Sequence, residues 1–572
     1  MRADRTIKHL RRRGHLCAPV VLACAAAAIL AAGLSCSKPK PIEPRIPREV
    51  EVPAYLKDTI GEVARFAGRD GVAVQGYGFV TGLDGTGTKV MPPGIRQQIL
   101  DMMRRHNVDK AEEVLASPDN AVVMVMGALP PGIGKGEPFD LEVRAVPTTE
   151  TTSLEGGFLL DCDLAQVVAD RGVAARSDVL ATGRGSIFVS PFTGDEKSKV
   201  SGDPRFGRVL TGGRALKARQ FRLILLTASV RTVDQITRLV NARFPGAAKG
   251  TQDPGRVDLT IPREYQGDEV HFLDLVGALY LRESPDGRDR RLNLLVETMQ
   301  AGQDLDRVAL CLEAMGPSVI PRLRPLASHP SEAVRFYLGQ TMANLQDAQA
   351  VSVLEPIALA DASEFQEMAV ESLGRLKSGI GLGVLGRALG THSARVRVAA
   401  WQAMARIAPR MFVSRIFRDK FVLSMIATKG EPFVYVSRTM MPEIAIFGDV
   451  SVRPPVLAET RRVVATALEG AQQVTLMARW HGTDYRVEAP LDLRGLVEKM
   501  ALPMGTAETR NVPGLDLSYS DAVGLLYEMS KKKALSAPLV IQPLQYRVGG
   551  DRPTARPIGE PEEMLRPPEP AK

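Results

Sequence analysis

Gly76-Tyr77-Gly78-Phe79-Val80-Thr81-Gly82-Leu83-Asp84-Gly85-Thr86-Gly87 is the stretch on which the fold turns. Residues 72–83 read as a β-strand, and the glycines that follow permit the positive φ that tight turns require. Two chemical readings fail on the residues themselves. A dinucleotide fingerprint needs its third glycine one residue earlier and must open a helix, so that phosphate meets the helix N-terminus. Asp84-Gly85-Thr86-Gly87 could supply half of a carboxylate dyad, but the chain has no second copy. The glycines are therefore expected to serve geometry.

Around this stretch, residues 56–282 alternate strand-like and helix-like runs. Residues 121–126 read as a strand, and 139–146 alternate apolar with polar. Helices are predicted over 95–106, with Ile99, Met102 and Met103 on one face, and over 232–244, with Val233, Ile236, Leu239 and Val240. An α+β body is the expectation. Residues 430–548 return to the same mixed rhythm. Strands are predicted at 444–452, 474–480 and 539–541, and helices at 493–500 and 522–529.

Between these regions, residues 285–428 carry an internal period. Leu338, Ala369 and Ala400 are spaced 31 apart, as are Met342, Leu373 and Met404, and Leu345, Leu376 and Ile407. Leu323, Leu354 and Leu385 keep the same step one helix earlier, and Pro325 is matched by Pro356. Two helices per period near 30 predict a stacked solenoid of the HEAT or armadillo kind, inserted into the α+β body.

The ends of the chain read differently. Residues 1–36 have a basic head, an alanine-rich apolar stretch and an exit of small residues, Gly33-Leu34-Ser35-Cys36, which is the layout of an export signal. A cysteine at that exit resembles a bacterial lipoprotein signal and makes Cys36 the expected lipidation site. Residues 37–55 are rich in proline and charge and are expected to form an extended tether, and 549–572 a disordered tail. The formal charge of +8 owes +5 to the signal. About +3 remains on the rest, so nucleic acid is not an expected partner.

Chemistry is sparse. The histidines are His9, His15, His106, His271, His329, His392 and His481, and no two share a metal-ligand spacing. HExxH, CxxC and GxSxG are absent. No catalytic residue, metal or cofactor is expected. Cys162 and Cys311 fall in different regions and read as two small buried residues.

The glycine-rich stretch resembles the opening motif of flagellar basal-body P-ring proteins, close to GYGLVVGLxGTGD, with Thr88 in place of the acidic residue. NAVVMVMGALPP at 120–131, which ends in Pro130-Pro131, is similar to the family's next block. Ser153-Leu154-Glu155-Gly156-Gly157 matches its SLxGG, and Ala181-Thr182-Gly183 stands at its AQG. After the helical repeats, Arg438-Thr439 and IAIFGDVSVRPP at 444–455, with Gly448-Asp449, look like RTGTVVIGxDVRISP. ALSAPLVI at 534–541 is similar to the closing block.

The resemblance implies a non-enzymatic periplasmic subunit that forms a ring with copies of itself around the flagellar rod, possible neighbours being L-ring proteins. The lipid on Cys36 would tie it to a membrane, the outer one by the lipoprotein sorting rule. The helical repeats would hold a further protein. The alternative is a non-flagellar envelope lipoprotein that uses the same fold as a scaffold.

Overall fold

The computed structural model describes residues 53–543, except 92, 106–108, 171–172, 193–201, 283, 378, 481–482 and 505–512. The signal, Cys36, nearly all of the tether and the tail lie outside the described residues. Tyr55, read as the last residue of the tether, is instead buried: its hydroxyl donates to Asp304 at 2.8 Å and its carbonyl accepts from Tyr280 at 2.7 Å.

Strand β1 (Ala64–Ala67) is followed by β2 (Val72–Thr81), which opens a closed antiparallel barrel. The barrel continues with β3 (Ala121–Leu129), β4 (Pro138–Ala145), β5 (Phe158–Asp170), β6 (Val173–Ser186) and β7 (Phe206–Ala215), in the order β2-β3-β4-β7-β6-β5. Alternate residues of β4, namely Phe139, Leu141, Val143 and Ala145, fill the interior. Closure is made by β2 against β5, and its register shifts between Gln75 and Val80. The glycines stand where that seam is tightest. A Cβ on Gly76 would overlap the Asp163 carbonyl, and one on Gly78 would come within 2.7 Å of the Leu159 side chain. Helix α1 (Pro93–Arg105) lies against the barrel and buries Ile99 and Met103. The side chain of Met102 lies outside the described set.

The first α+β region is not one body. After β7 the chain enters a separate four-stranded sheet, built from β1, β8 (Phe221–Leu225), β9 (Ala248–Gly250) and β10 (Arg256–Leu259) in the order β1-β8-β10-β9. Helices α2 (Val230–Arg243) and α3 (Glu269–Gly277) complete this unit. Ser229 caps α2 by accepting from Thr232 N–H, and Val233, Ile236 and Val240 face inward. The apolar core of this unit continues into the helices that follow and is distinct from the barrel core.

Those helices are α4 (Pro285–Gln300), α5 (Leu305–Met315), α6 (Ile320–Leu323), α7 (Glu332–Asn344), α8 (Ala350–Ala358), α9 (Gln366–Leu373), α10 (Leu382–Ala388) and α11 (Ala394–Ile407). The 31-residue columns are the inward faces: Leu338, Ala369 and Ala400 are fully buried, as are Leu323, Leu354 and Leu385. Polar groups keep the same step. Glu313 accepts from Asn344 Nδ2 at 2.7 Å, and Asn344 accepts from Arg375 Nη1 at 3.2 Å, each pair 31 residues apart. Glu332 accepts from Ser363 and Gln346 from Lys377 N–H at the same spacing. Equivalent positions of successive helical pairs thus hydrogen-bond to one another.

The helices end at Ile407, earlier than the repeat reading to 428. Residues 413–426 form a hairpin of β11 (Val413–Phe417) and β12 (Phe421–Ile426). Phe412 with Ile416, and Phe417, Phe421 and Met425, imitate helical spacing, but each strand alternates its faces. With β13 (Phe433–Val436), β14 (Glu443–Phe447) and β19 (Leu539–Ile541) the hairpin makes a five-stranded sheet ordered β11-β12-β14-β13-β19. A four-stranded antiparallel sheet of β15 (Val456–Glu459), β16 (Val463–Ala467), β17 (Gln473–Trp480) and β18 (Thr483–Pro490) packs with α12 (Leu493–Ala501) and α13 (Tyr519–Lys531) in a further core. The fold is α+β. Among the described residues no helix is long and apolar enough to cross a membrane.

The helical run is fixed at both ends. At its start His271 of α3 faces Glu313 of α5 at 2.9 Å, and Asp268 pairs with Arg375 at 3.0 Å. At its close Arg397 of α11 is buried between helix and sheet. Its Nε donates to Leu389 O at 2.8 Å, Nη1 to Glu431 O at 2.6 Å and Nη2 to Thr428 Oγ1 at 3.2 Å.

The first of these contacts depends on pH. Burial pulls the His271 pKa down, but the charge and hydrogen bond of Glu313 outweigh it and leave the folded value above 6.5. Arg375, Asp268 and Asp274 also act on the ring, Tyr265 lies beside it, and Arg243 donates to the Glu313 carbonyl. A raised folded pKa stabilises fully below the unfolded value of about 6.5 and is lost as pH climbs through the folded one. Amide protection of α3 is therefore expected to fall as pH rises above about 6.5. His271→Gln should flatten that dependence.

Candidate functional site

Motif blocks far apart in sequence meet at one seam. Strand β2 ends at Thr81 and is followed by Gly82 at φ 78°, Asp84 at φ 51° and Gly85 at φ 81°. Leu83 N–H donates to Asp119 O at 2.8 Å, Gly85 N–H to Asp119 Oδ1 at 2.8 Å and Gly87 N–H to Pro118 O at 2.9 Å. A Cβ on Gly87 would overlap the Asn120 carbonyl, so the turn closes this tightly only with glycine. The Thr86 hydroxyl lies 2.9 Å from both Leu83 O and Ser153 O, and Thr86 O accepts from Thr152 N–H at 2.9 Å. Thr88 is buried, its hydroxyl accepting from Val90 N–H at 3.0 Å.

Gly156 and Gly157 lie across the same corner. Gly156 sits at φ 72°, and a Cβ there would overlap the Arg462 guanidinium. A Cβ on Gly157 would come within 2.6 Å of the Val80 side chain and 2.7 Å of the Leu83 side chain. Leu83 is fully buried, Tyr77 half-buried.

Two arginines from the turn between β15 and β16 close the corner. Arg461 Nη2 donates to Leu83 O at 3.0 Å and Asp84 O at 2.8 Å, and Nη1 to Thr86 Oγ1 at 3.1 Å. Arg462 Nη2 donates to Gly82 O at 2.7 Å while its guanidinium stacks 4.9 Å from the Trp480 ring. Glu155 beside them has a raised carboxyl pKa because burial and the Asp521 charge outweigh the two arginines. The sequence reading missed this pair. The adjacent arginines follow a short strand, and nothing in their spacing says that their target lies 378 residues earlier.

Of the remaining motif residues, Arg438 lies on the same division of the molecule. Arg438 is buried with its guanidinium 5.3 Å from the Phe192 ring, and Arg438 and Thr439 N–H both donate to Gln542 Oε1, at 2.7 and 3.1 Å. Met440 N–H donates to Asp140 Oδ2 of β4 at 2.6 Å. Burial raises the Asp140 pKa, and its hydrogen bonds from Thr211 and Met440 oppose the rise. Phe188 and Tyr519 meet at 5.3 Å. Gly448 turns the chain after β14 at φ 72°, donating to Ile426 O at 2.9 Å, and Asp449 beside it is exposed. Pro130 and Pro131 stand apart from this seam. They lie at the turn after β3, where Arg219 donates to Pro130 O at 3.1 Å.

Among the described residues the histidines do not converge. His271 serves the helical contact, and exposed His392 pairs with Asp361 at 2.8 Å. Among the described residues no group of three His, Cys, Asp or Glu is placed to hold a metal ion. Cys162 and Cys311 are both free and buried, and burial pushes each thiol up to about 12.

Replacing Arg461 and Arg462 together by alanine is expected to cost about 1–3 kcal/mol at this seam. Hydrogen exchange should speed up in residues 82–87 while the interior strands of the barrel stay protected. Unchanged protection of the turn would show that the arginines do not hold it.

Glycine turns held by backbone carbonyls and capping arginines define a site whose contacts are structural. Residues 59–290 match the family model described as flagellar P-ring protein, which bears out the resemblance carried by the motifs within that span. Curated relatives carry that same name. The protein from a Bradyrhizobium species is 29% identical over 277 residues, 46% of this chain and 70% of that protein. The one from Geotalea uraniireducens is 30% identical over 224 residues, 37% of this chain and 58% of that protein. The one from Nitrobacter hamburgensis is 28% identical over 315 residues, 52% of this chain and 79% of that protein.

Proposed function

We propose that this chain is a structural subunit of the bacterial flagellar basal body, a P-ring-like protein that assembles with copies of itself around the rod in the periplasm. The observation that carries the reading is the family match over 59–290, and the contacts of Arg461 with the glycine turn and of Met440 with Asp140 support it. It acts by shape and contact rather than by catalysis.

Export and lipidation at Cys36 complete the reading, with residues 37–52 as a tether to the envelope, the outer membrane being the favoured anchor. The helical run is a short HEAT-type solenoid, as the 31-residue hydrogen-bond step supports. Its free faces offer a surface for a further envelope protein. Deleting the gene should abolish swimming and leave basal bodies without this ring. Normal basal bodies in the mutant would favour the alternative of a non-flagellar envelope scaffold.

A further inference from the structure

Among the described residues, no strand lies beside β11 at the edge of the five-stranded sheet. Four of the five residues of β11 are exposed, Val413 at 60% and Ile416 at 77%, with Met411 at 58% just before it. Edge strands are commonly protected by lysine, proline or a bulge. Here the one charged side chain, Arg415, pairs with Glu498 at 2.7 Å. The edge borders a cleft of about 640 Å³ between this sheet and the barrel, with Ile416 and Met441 on one side and Phe158 and Arg184 on the other.

At the opposite edge the chain leaves β19 at Ile541. Its exit is pinned, since Gln542 N–H donates to Val436 O at 3.0 Å and its side chain accepts from Arg438 and Thr439. The next residues, Leu544-Gln545-Tyr546-Arg547-Val548, lie outside the described set and alternate apolar with polar, the pattern of a half-buried strand. They cannot serve their own edge. β11 is four strand spacings from β19, roughly 19 Å, whereas Gln542 and Pro543 span at most about 7 Å.

We propose that residues 544–548 of one copy add as a strand to β11 of the next copy. This deepens the ring-subunit reading, on which it rests, by naming a surface for the contact. Main-chain hydrogen bonds would satisfy the open edge, and alternate apolar side chains would cover Ile416 at the mouth of the cleft. Strand and edge lie on opposite sides of one sheet, so the contact is head-to-tail, the kind that closes into rings.

The test is a mixing experiment on the full chain, read by analytical ultracentrifugation. The unmodified chain should self-associate. Ile416→Asp, which spoils the edge, and Leu544→Asp with Tyr546→Asp, which spoils the strand, should each weaken association at least about tenfold. Both alter residues outside any described core, so thermal melting should be unchanged. An equal mixture of the two variants should recover association but stop at two copies, because each supplies one intact half of the contact. An unmodified chain that stays monomeric, variants that assemble normally, or a mixture without the dimer would each overturn the proposal. Variants that still assemble would sink this contact and leave the ring reading intact. Basal bodies without the chain would sink that reading and leave the mixing result standing.

Discussion

Arg397→Leu is expected to lower the unfolding stability of the helical run and the five-stranded sheet by about 2–4 kcal/mol. The guanidinium is buried and meets three acceptors: two backbone carbonyls, those of Leu389 and Glu431, and the Thr428 hydroxyl. It also lies 4.6 Å from the centre of the Phe433 ring. Leucine fills part of the volume, leaves the Glu431 carbonyl without that donor and leaves the Leu389 carbonyl with the Thr428 hydroxyl alone, at 2.6 Å. A group left unpaired costs about 1–3 kcal/mol, and the lost stacking on the Phe433 ring adds to it. Arg397→Lys keeps the charge but not the planar fork, and should recover less than half of the loss. Urea melts followed by the fluorescence of Trp401, which meets Tyr435 and Phe447 edge-on, report directly on this junction. A leucine variant with an unchanged midpoint would show that the helical run does not depend on the sheet.

Gly76→Val should be as damaging, by a different route. The new side chain begins where the Asp163 carbonyl already sits, so β2 and β5 must part for it to fit. Overpacking a core costs about 1–3 kcal/mol when side chains can give way. Here the obstacle is backbone in the strand that closes the barrel, so a loss of about 3 kcal/mol or more is expected. Amide exchange should rise throughout β2 and β5 and stay low in α13, whose core is separate. A variant with native protection in β5 would contradict the reading of Gly76 as a closure residue.

Local pattern made much of this molecule legible. Val233, Ile236 and Val240 predicted their helix, and the alternation of 139–146 its strand, because burial period follows backbone geometry. The 31-residue columns placed the inward faces of the helical pairs from Leu323 to Met404. Partnership was harder to see. Nothing local to Arg461 or Arg397 names the carbonyls they reach, since a backbone acceptor has no sequence signature. The division of the first region into barrel and second sheet was hidden for the same reason, as both halves have strand and helix rhythm. The hairpin at 413–426 misled because apolar residues four apart satisfy a helix and a pair of short strands alike. Gly82 and Gly85 do turn the chain at positive φ, but which carbonyl crowds which glycine needed the fold.

Immunogold electron microscopy of purified basal bodies, with antibody against the helical run, addresses the proposed role most directly. Label should ring the rod at the level of the periplasmic ring, and that ring should be missing from bodies of the deletion strain. Unlabelled basal bodies with a complete ring, alongside this chain in a separate envelope fraction, would contradict it.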